Sequence, residues 1–113
     1  MMKEKKYETI YVLRGDLTDE GTKKANDKVT EVLSRYQGQL SQVKDLGKRP
    51  LAYRIAKHTR GHYMQLNFDG SGQSVEELER HLRLSEDVIR FLTVRVQIST
   101  DPRDLKEVKE VSL

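Results

Sequence analysis

From Tyr7 to Leu13 the chain reads YETIYVL, with Tyr7, Tyr11 and Leu13 apolar on one parity and Ile10 and Val12 on the other. Aromatic and β-branched residues that are apolar both ways predict a strand covered on both faces. Gly15 breaks it, Thr18 stands where a helix N-cap would accept backbone N–H groups, and Asp19 and Glu20 suit the positive end of a helix. Ala25, Val29, Val32, Leu33 and Tyr36 then fall at i, i+4, i+7, i+8 and i+11, one stripe at the helical period. This predicts a helix to about Tyr36, stopped by Gly38. Gly21 and Asn26 weaken its early turns, so its stability must rest on burying that stripe.

Leu40, Val43 and Leu46 keep no single period, whereas Leu51, Tyr53 and Ile55 alternate with Ala52 and Arg54. The pattern predicts one long strand with a bulge near Gly47 to Pro50. KHTRG, Lys57 to Gly61, reads as the turn, and His62, Met64, Leu66 and Phe68 then alternate with Tyr63, Gln65 and Asn67. The two strands form a hairpin with one apolar face. Ser74 and Glu77 have capping-box spacing ahead of Val75, Leu78 and Leu82, which predicts a second helix to about Leu84. VIRFLTVRV, Val88 to Val96, is apolar on both parities apart from Arg90 and Arg95 and predicts a fourth strand.

The order β-α-β-β-α-β is an α+β split βαβ arrangement, whose right-handed crossovers put both helices on one face of a four-stranded antiparallel sheet. The other face is left open. Strands apolar on both faces imply that part of this open face meets another molecule. After Gln97 the chain is polar and charged, with Leu105, Val108 and Val111 spaced by three. Residues 1–97 therefore read as the folded domain and 98–113 as a flexible charged tail, or as a short helix that forms on a partner.

At 113 residues with 35% apolar and 35% charged positions, the chain suits a single domain with a modest core, too small for a deep catalytic interior. With no cysteine, disulfides, Cys-ligated zinc and thiol catalysis are excluded together, and a reducing compartment fits. The start, MMKEKKYETIYVL, has too short and interrupted an apolar run for a signal or membrane segment, so a soluble, unprocessed protein is expected. The net charge of +3 is modest; its distribution is not.

From Leu46 to Phe68 no Asp or Glu occurs, while Lys48, Arg49, Arg54, Lys57 and Arg60 stand beside Tyr53 and Tyr63. Cations on such a segment suit a phosphate backbone, and Arg and Tyr add hydrogen bonds and stacking on unpaired bases. The alternative is a solvated hairpin whose Lys and Arg blunt a sheet edge, with Tyr53 part of the core. His58 and His62 are four apart, a ligand spacing on a helix but not across this turn. His81 reads as an ordinary helix residue, and Glu76, Glu77 and Glu79 as partners of Arg80 and Arg83 along the second helix. GSG at Gly70 to Gly72 lacks the Lys of a phosphate loop. No cofactor, metal or small-molecule substrate is indicated, and no enzyme.

An RNA-recognition-motif domain has the same strand order. Its third strand should carry a basic-Gly-aromatic-small-aromatic pattern. Here RGHYMQLN keeps Arg60 and Gly61 but places His62, Tyr63, Met64 and Asn67 where aromatic, small, aromatic and aromatic residues belong. A free-standing module of that kind remains the alternative, with an acylphosphatase-type hydrolase of the same strand order behind it.

GKRPLAYRI resembles the bacterial small-subunit ribosomal protein number six family, whose pattern Gly47, Arg49, Leu51, Ala52, Tyr53 and Ile55 fit; Pro50 departs from it. The resemblance continues through YETIYVLR, GHYMQLNF and LERHLRLSEDVIRFLTVRV, from about Tyr7 to Val96. It implies a ferredoxin-like structural protein that binds small-subunit ribosomal RNA as a heterodimer with ribosomal protein number eighteen, without catalysis. Such a protein would be cytoplasmic and ribosome-associated, or belong to an organellar ribosome of bacterial descent. With the acid-free run, this makes Lys48, Arg49, Tyr53, Arg54, Lys57, Arg60 and Tyr63 the expected RNA side, helped by Arg90 and Arg95. Ile10, Val12, Leu92 and Val94 are the expected partner contacts, on strands whose two apolar faces leave the helix side undecided. Pro50 takes one cation from the RNA surface and donates no ladder hydrogen bond.

Overall fold

The structure, a computed structural model, describes residues 5–98 and 107–111. The elements follow as β1 (Lys5–Arg14), α1 (Asp19–Arg35), β2 (Gln39–Ile55), β3 (His58–Gly70), α2 (Gly72–Leu84), β4 (Val88–Ile98) and β5 (Glu107–Val111). The sheet order is β2-β3-β1-β4-β5 with every neighbouring pair antiparallel. The first four strands and two helices are the expected split βαβ fold. β5 extends the sheet alongside β4, on a segment read from sequence as tail; Leu105 lies outside the described residues.

Register sorts the two faces. On the helix side, cross-strand rows run Leu40, Phe68, Tyr7, Arg95; Val43, Leu66, Thr9, Thr93; and Asp45, Met64, Tyr11, Phe91. Against them pack Ala25, Val29 and Leu33 of α1 and Val75, Leu78 and Leu82 of α2, which completes the buried core. Fully burying a Leu, Val or Phe is worth about 1.5–3 kcal/mol, so these stripes hold the helices down. Thr9 and Thr93 sit fully buried in the middle of this apolar layer, and their hydroxyls meet at 2.8 Å.

Thr18 caps α1 as its sequence predicts, its Oγ1 accepting from the Gly21 N–H. The start of α2 differs from expectation. The N-cap is Ser71, and the reciprocal capping box is made with Ser74 at 3.3 Å in each direction. Ser74 is buried inside the first turn and donates its hydroxyl to the Tyr36 carbonyl at 2.7 Å, tying the end of α1 to the start of α2.

The hairpin turn also falls earlier than predicted. β2 runs on to Ile55, which pairs with His58 across Ala56 and Lys57. Gly61 is not a turn residue at all: a Cβ there would collide with Val12 Cγ1 and press on Leu51, so the glycine lets β1 and the hairpin close together. The expected irregularity in β2 is present, as register shifts between Asp45 and Gly47 and between Pro50 and Ile55. Gly47 takes a φ of 87°, open to glycine at no steric cost.

Candidate nucleic-acid interface

The face away from the helices carries three cross-strand rows, read from β2 to β4. They are Gln42, Asn67, Glu8, Val94; then Lys44, Gln65, Ile10, Leu92; then Gly47, Tyr63, Val12, Arg90. The face is thus divided lengthwise. The β1 and β4 half is mostly aliphatic, and the β2 and β3 half is amide, cationic and aromatic. Ile10, Val12, Leu92 and Val94, which alternation could not assign to a side, all stand on this open face. Leu92 is 49% exposed, whereas Val12 is 4% exposed because Leu51 and Val12 close over Gly61.

The basic hairpin reaches back over the same face. Its bulge aims Arg49: the Asp45 carboxylate accepts from the Gly47 N–H at 2.9 Å, Arg49 Nε donates to the Leu46 carbonyl at 3.2 Å, and the guanidinium lies 5.7 Å from the Tyr63 ring centre. Farther out, Arg90 of β4 lies 5.7 Å from the Tyr53 ring centre and donates to the Tyr53 hydroxyl at 3.1 Å. Tyr53, 62% exposed, is therefore a surface ring that links the hairpin to β4, not a core residue. Arg54 donates to the Ala56 carbonyl at 2.8 Å, while Lys57 and Arg60, with Gly15, Asp16, His58 and Thr59, line a shallow cleft at the hairpin tip. Lys48 is exposed opposite His62.

Lys48, which pairs with His62, and Arg60, two residues before His62, have helix-side parity by register, and so does Arg95. Five residues beyond Arg90 on one strand, Arg95 has the opposite parity, and register puts it in the helix-side row with Tyr7 and Phe68. Lys44 was missed because Asp45 separates it from the acid-free run; yet Asp45 faces the other side, where its Oδ1 meets His62 Nε2 at 2.6 Å. That hydrogen bond holds the Asp45 carboxyl below its ordinary value of 3.8, against a smaller opposing effect of burial. Burial pushes the Tyr11 hydroxyl upward, with the nearby Asp45 charge adding to it. Gln65 and Asn67 share the open face as well, signalled by their parity with Tyr63, whereas Gln42 is placed there only by its pairing with Asn67.

Among the described residues no three His, Cys, Asp or Glu come together as a metal site, and no helix is long and apolar enough to cross a membrane. Among the described residues Glu76, Glu77 and Glu79 make no ion pair within 4.0 Å with Arg80 or Arg83, although the charge of Arg83 still acts on the Glu79 carboxyl.

The chain is thus a split βαβ domain whose open face is divided between an aliphatic and a basic-aromatic half. The family model of ribosomal protein S6 matches residues 6–95, and the chain belongs to that family, a protein of the small ribosomal subunit. It is 48% identical over 92 residues to small ribosomal subunit protein bS6 of Trichlorobacter lovleyi, covering 81% of this chain and 75% of that one. Against bS6 of Synechococcus elongatus it is 44% identical over 97 residues, covering 86% and 91%. The crystal structure of 30S ribosomal protein S6 from Thermotoga maritima superposes with a TM-score of 0.77 at 29% identity, covering 82% and 88%. These relatives are structural ribosomal proteins; this chain is not an enzyme.

Proposed function

We propose that this protein binds small-subunit ribosomal RNA through the basic hairpin and, through the aliphatic half of its open face, pairs with small-subunit ribosomal protein number eighteen. The observation that carries this reading is that the two surfaces abut on one face: Arg90 sits in the same row as Val12, next to the row of Ile10 and Leu92. A partner seated on Ile10, Leu92 and Val94 would lie beside Arg90, Arg49 and the hairpin cations, so that protein and RNA complete one composite surface. Lys48, Arg49, Arg54, Lys57, Arg60 and Arg90 neutralise phosphates, and Tyr53 and Tyr63 hold the two stacked arginines in place. The work is done on the ribosome, of a bacterium or of an organelle of bacterial descent.

Salt titration of RNA affinity tests the reading, using a small-subunit ribosomal RNA fragment with and without protein eighteen. Replacing Lys48 and Arg49 together by Ala should weaken binding and reduce the salt slope by about two phosphate equivalents at most. Protein eighteen should raise the affinity, and Leu92→Ala should reduce that gain. An unchanged slope defeats the RNA assignment, and no gain from protein eighteen defeats the partner assignment.

A further inference from the structure

We propose that the β2–β3 half of the open face reads the edge of an unpaired RNA base through the amide pair Gln65 and Asn67. The proposal rests on the RNA-binding reading above and adds to it a base-contacting site on two uncharged residues of β3 to which the sequence reading assigned no role. Gln65 and Asn67 are two apart on β3 and so share a face, about 7 Å apart along the strand. Gln65 Nε2 donates to Asn67 Oδ1 at 2.9 Å.

That bond decides what the pair presents. Each carboxamide has a carbonyl acceptor and an amino donor, and joining one group from each leaves the Gln65 carbonyl as an acceptor and the Asn67 amino group as a donor for a ligand. Turning both amides over leaves the same combination. The Watson–Crick edge of every base also carries a donor beside an acceptor, and in a duplex that edge is occupied. The pair can therefore meet a Watson–Crick edge only on an unpaired base, and in A-form RNA the remaining donor–acceptor edge of a paired adenine lies in a deep, narrow groove that side chains do not reach.

The surroundings suit the same ligand. Lys44 stands across from Gln65 on β2, one row from Tyr63 with Arg49 over its ring. Tyr63, Gln65 and Asn67 thus make a rail on which a nucleotide would meet first a ring and guanidinium, then the amide pair, with a cation beside it. Glu8, across from Asn67 on β1, is 7% exposed and already engaged, so it leaves the rail without an exposed opposing charge from that side. Ile10 borders Gln65 on its β1 flank.

The test compares a short single-stranded RNA of mixed sequence, its duplex, and an abasic oligonucleotide of equal length and charge. The wild-type protein should prefer the single strand to the abasic oligonucleotide. Gln65→Ala with Asn67→Ala should lose about tenfold on the single strand, with affinity for the abasic oligonucleotide and the salt slope unchanged. Lys44→Gln should do the reverse, lowering the slope and keeping the preference for bases. Equal losses on both oligonucleotides, no loss on either, or loss of protein-eighteen binding alone would each overturn the proposal. If the wild-type protein binds small-subunit ribosomal RNA but prefers no base-containing oligonucleotide, only the amide site falls; if it binds no RNA, the function falls with it. Gln65→Ala alone, followed with a thermal melt, keeps the result readable if the double variant folds poorly.

Discussion

Gln37 is a residue whose conformation costs more than its side chain returns. It closes α1 with a φ of 65°. Its N–H reaches the Ser34 carbonyl at 3.1 Å and the Gly38 N–H reaches Leu33 at 2.9 Å, the paired bonds of a Schellman ending. An L-residue in that left-handed position carries steric strain that glycine lacks. Gln37→Gly is expected to raise stability by about 1 kcal/mol, seen as a higher urea midpoint with the slope unchanged. A lower midpoint would mean that the Gln37 side chain contributes more than its backbone strain removes. At this scale the sequence was only partly legible. Gly38 marked the end of the helix, but the residue that turns left-handed is its neighbour, because the bonding pattern and not residue preference selects the position.

At the scale of elements, three of them meet in one hydrogen-bonded chain. Thr93 of β4 bonds Glu79 of α2, and the Thr9 hydroxyl of β1 meets Thr93 in turn. Burial raises the Glu79 carboxyl above its ordinary 4.5, and the Thr93 bond pulls it partly back. Thr93→Val should therefore raise the Glu79 pKa further in an NMR titration. It should also cost about 1–3 kcal/mol, because Thr9 is left buried without its partner. A Glu79 value that stays put would show that the bond carries no weight. The existence of the first six elements was legible because each helix kept one apolar stripe, the hairpin strands alternated in part, and β1 and β4 were β-rich runs apolar both ways; β5 lies on a segment that read as tail. Boundaries failed where one residue type serves two purposes: Ser74 with Glu77 imitates a cap one turn inside the real one, and Gly61 imitates a turn while serving as a packing gap. The side of the sheet was illegible for Ile10 and Val12, since a strand buried on both faces carries no polar parity, and only pairing with β3 and β4 resolves it.

For the whole molecule, pH acts through a histidine far from the basic hairpin. His81 lies on α2, and burial, followed by the charge of Lys28, lowers its pKa below the ordinary 6.5. As the pH falls through 6.5 the unfolded chain takes up a proton that the folded chain resists, so this contribution to stability is lost on acidification. Urea midpoints measured on either side of 6.5 should fall towards acid in the wild-type protein and fall less in His81→Gln; equal drops would remove His81 as the cause. The candidate surface was legible as an acid-free run, but its division into two halves was not, because it depends on strands that lie far apart in sequence. That same arrangement sets a timetable. β1 is central, yet both of its neighbours are made later: Val12 pairs with Tyr63 on one side and Arg90 on the other. At about 5–20 residues per second of synthesis, the roughly 80 residues between Val12 and Arg90 leave β1 without one neighbour for about 4–16 s. During that time a strand apolar on both faces waits with an open edge, which makes early capture by another chain the main hazard in producing this protein.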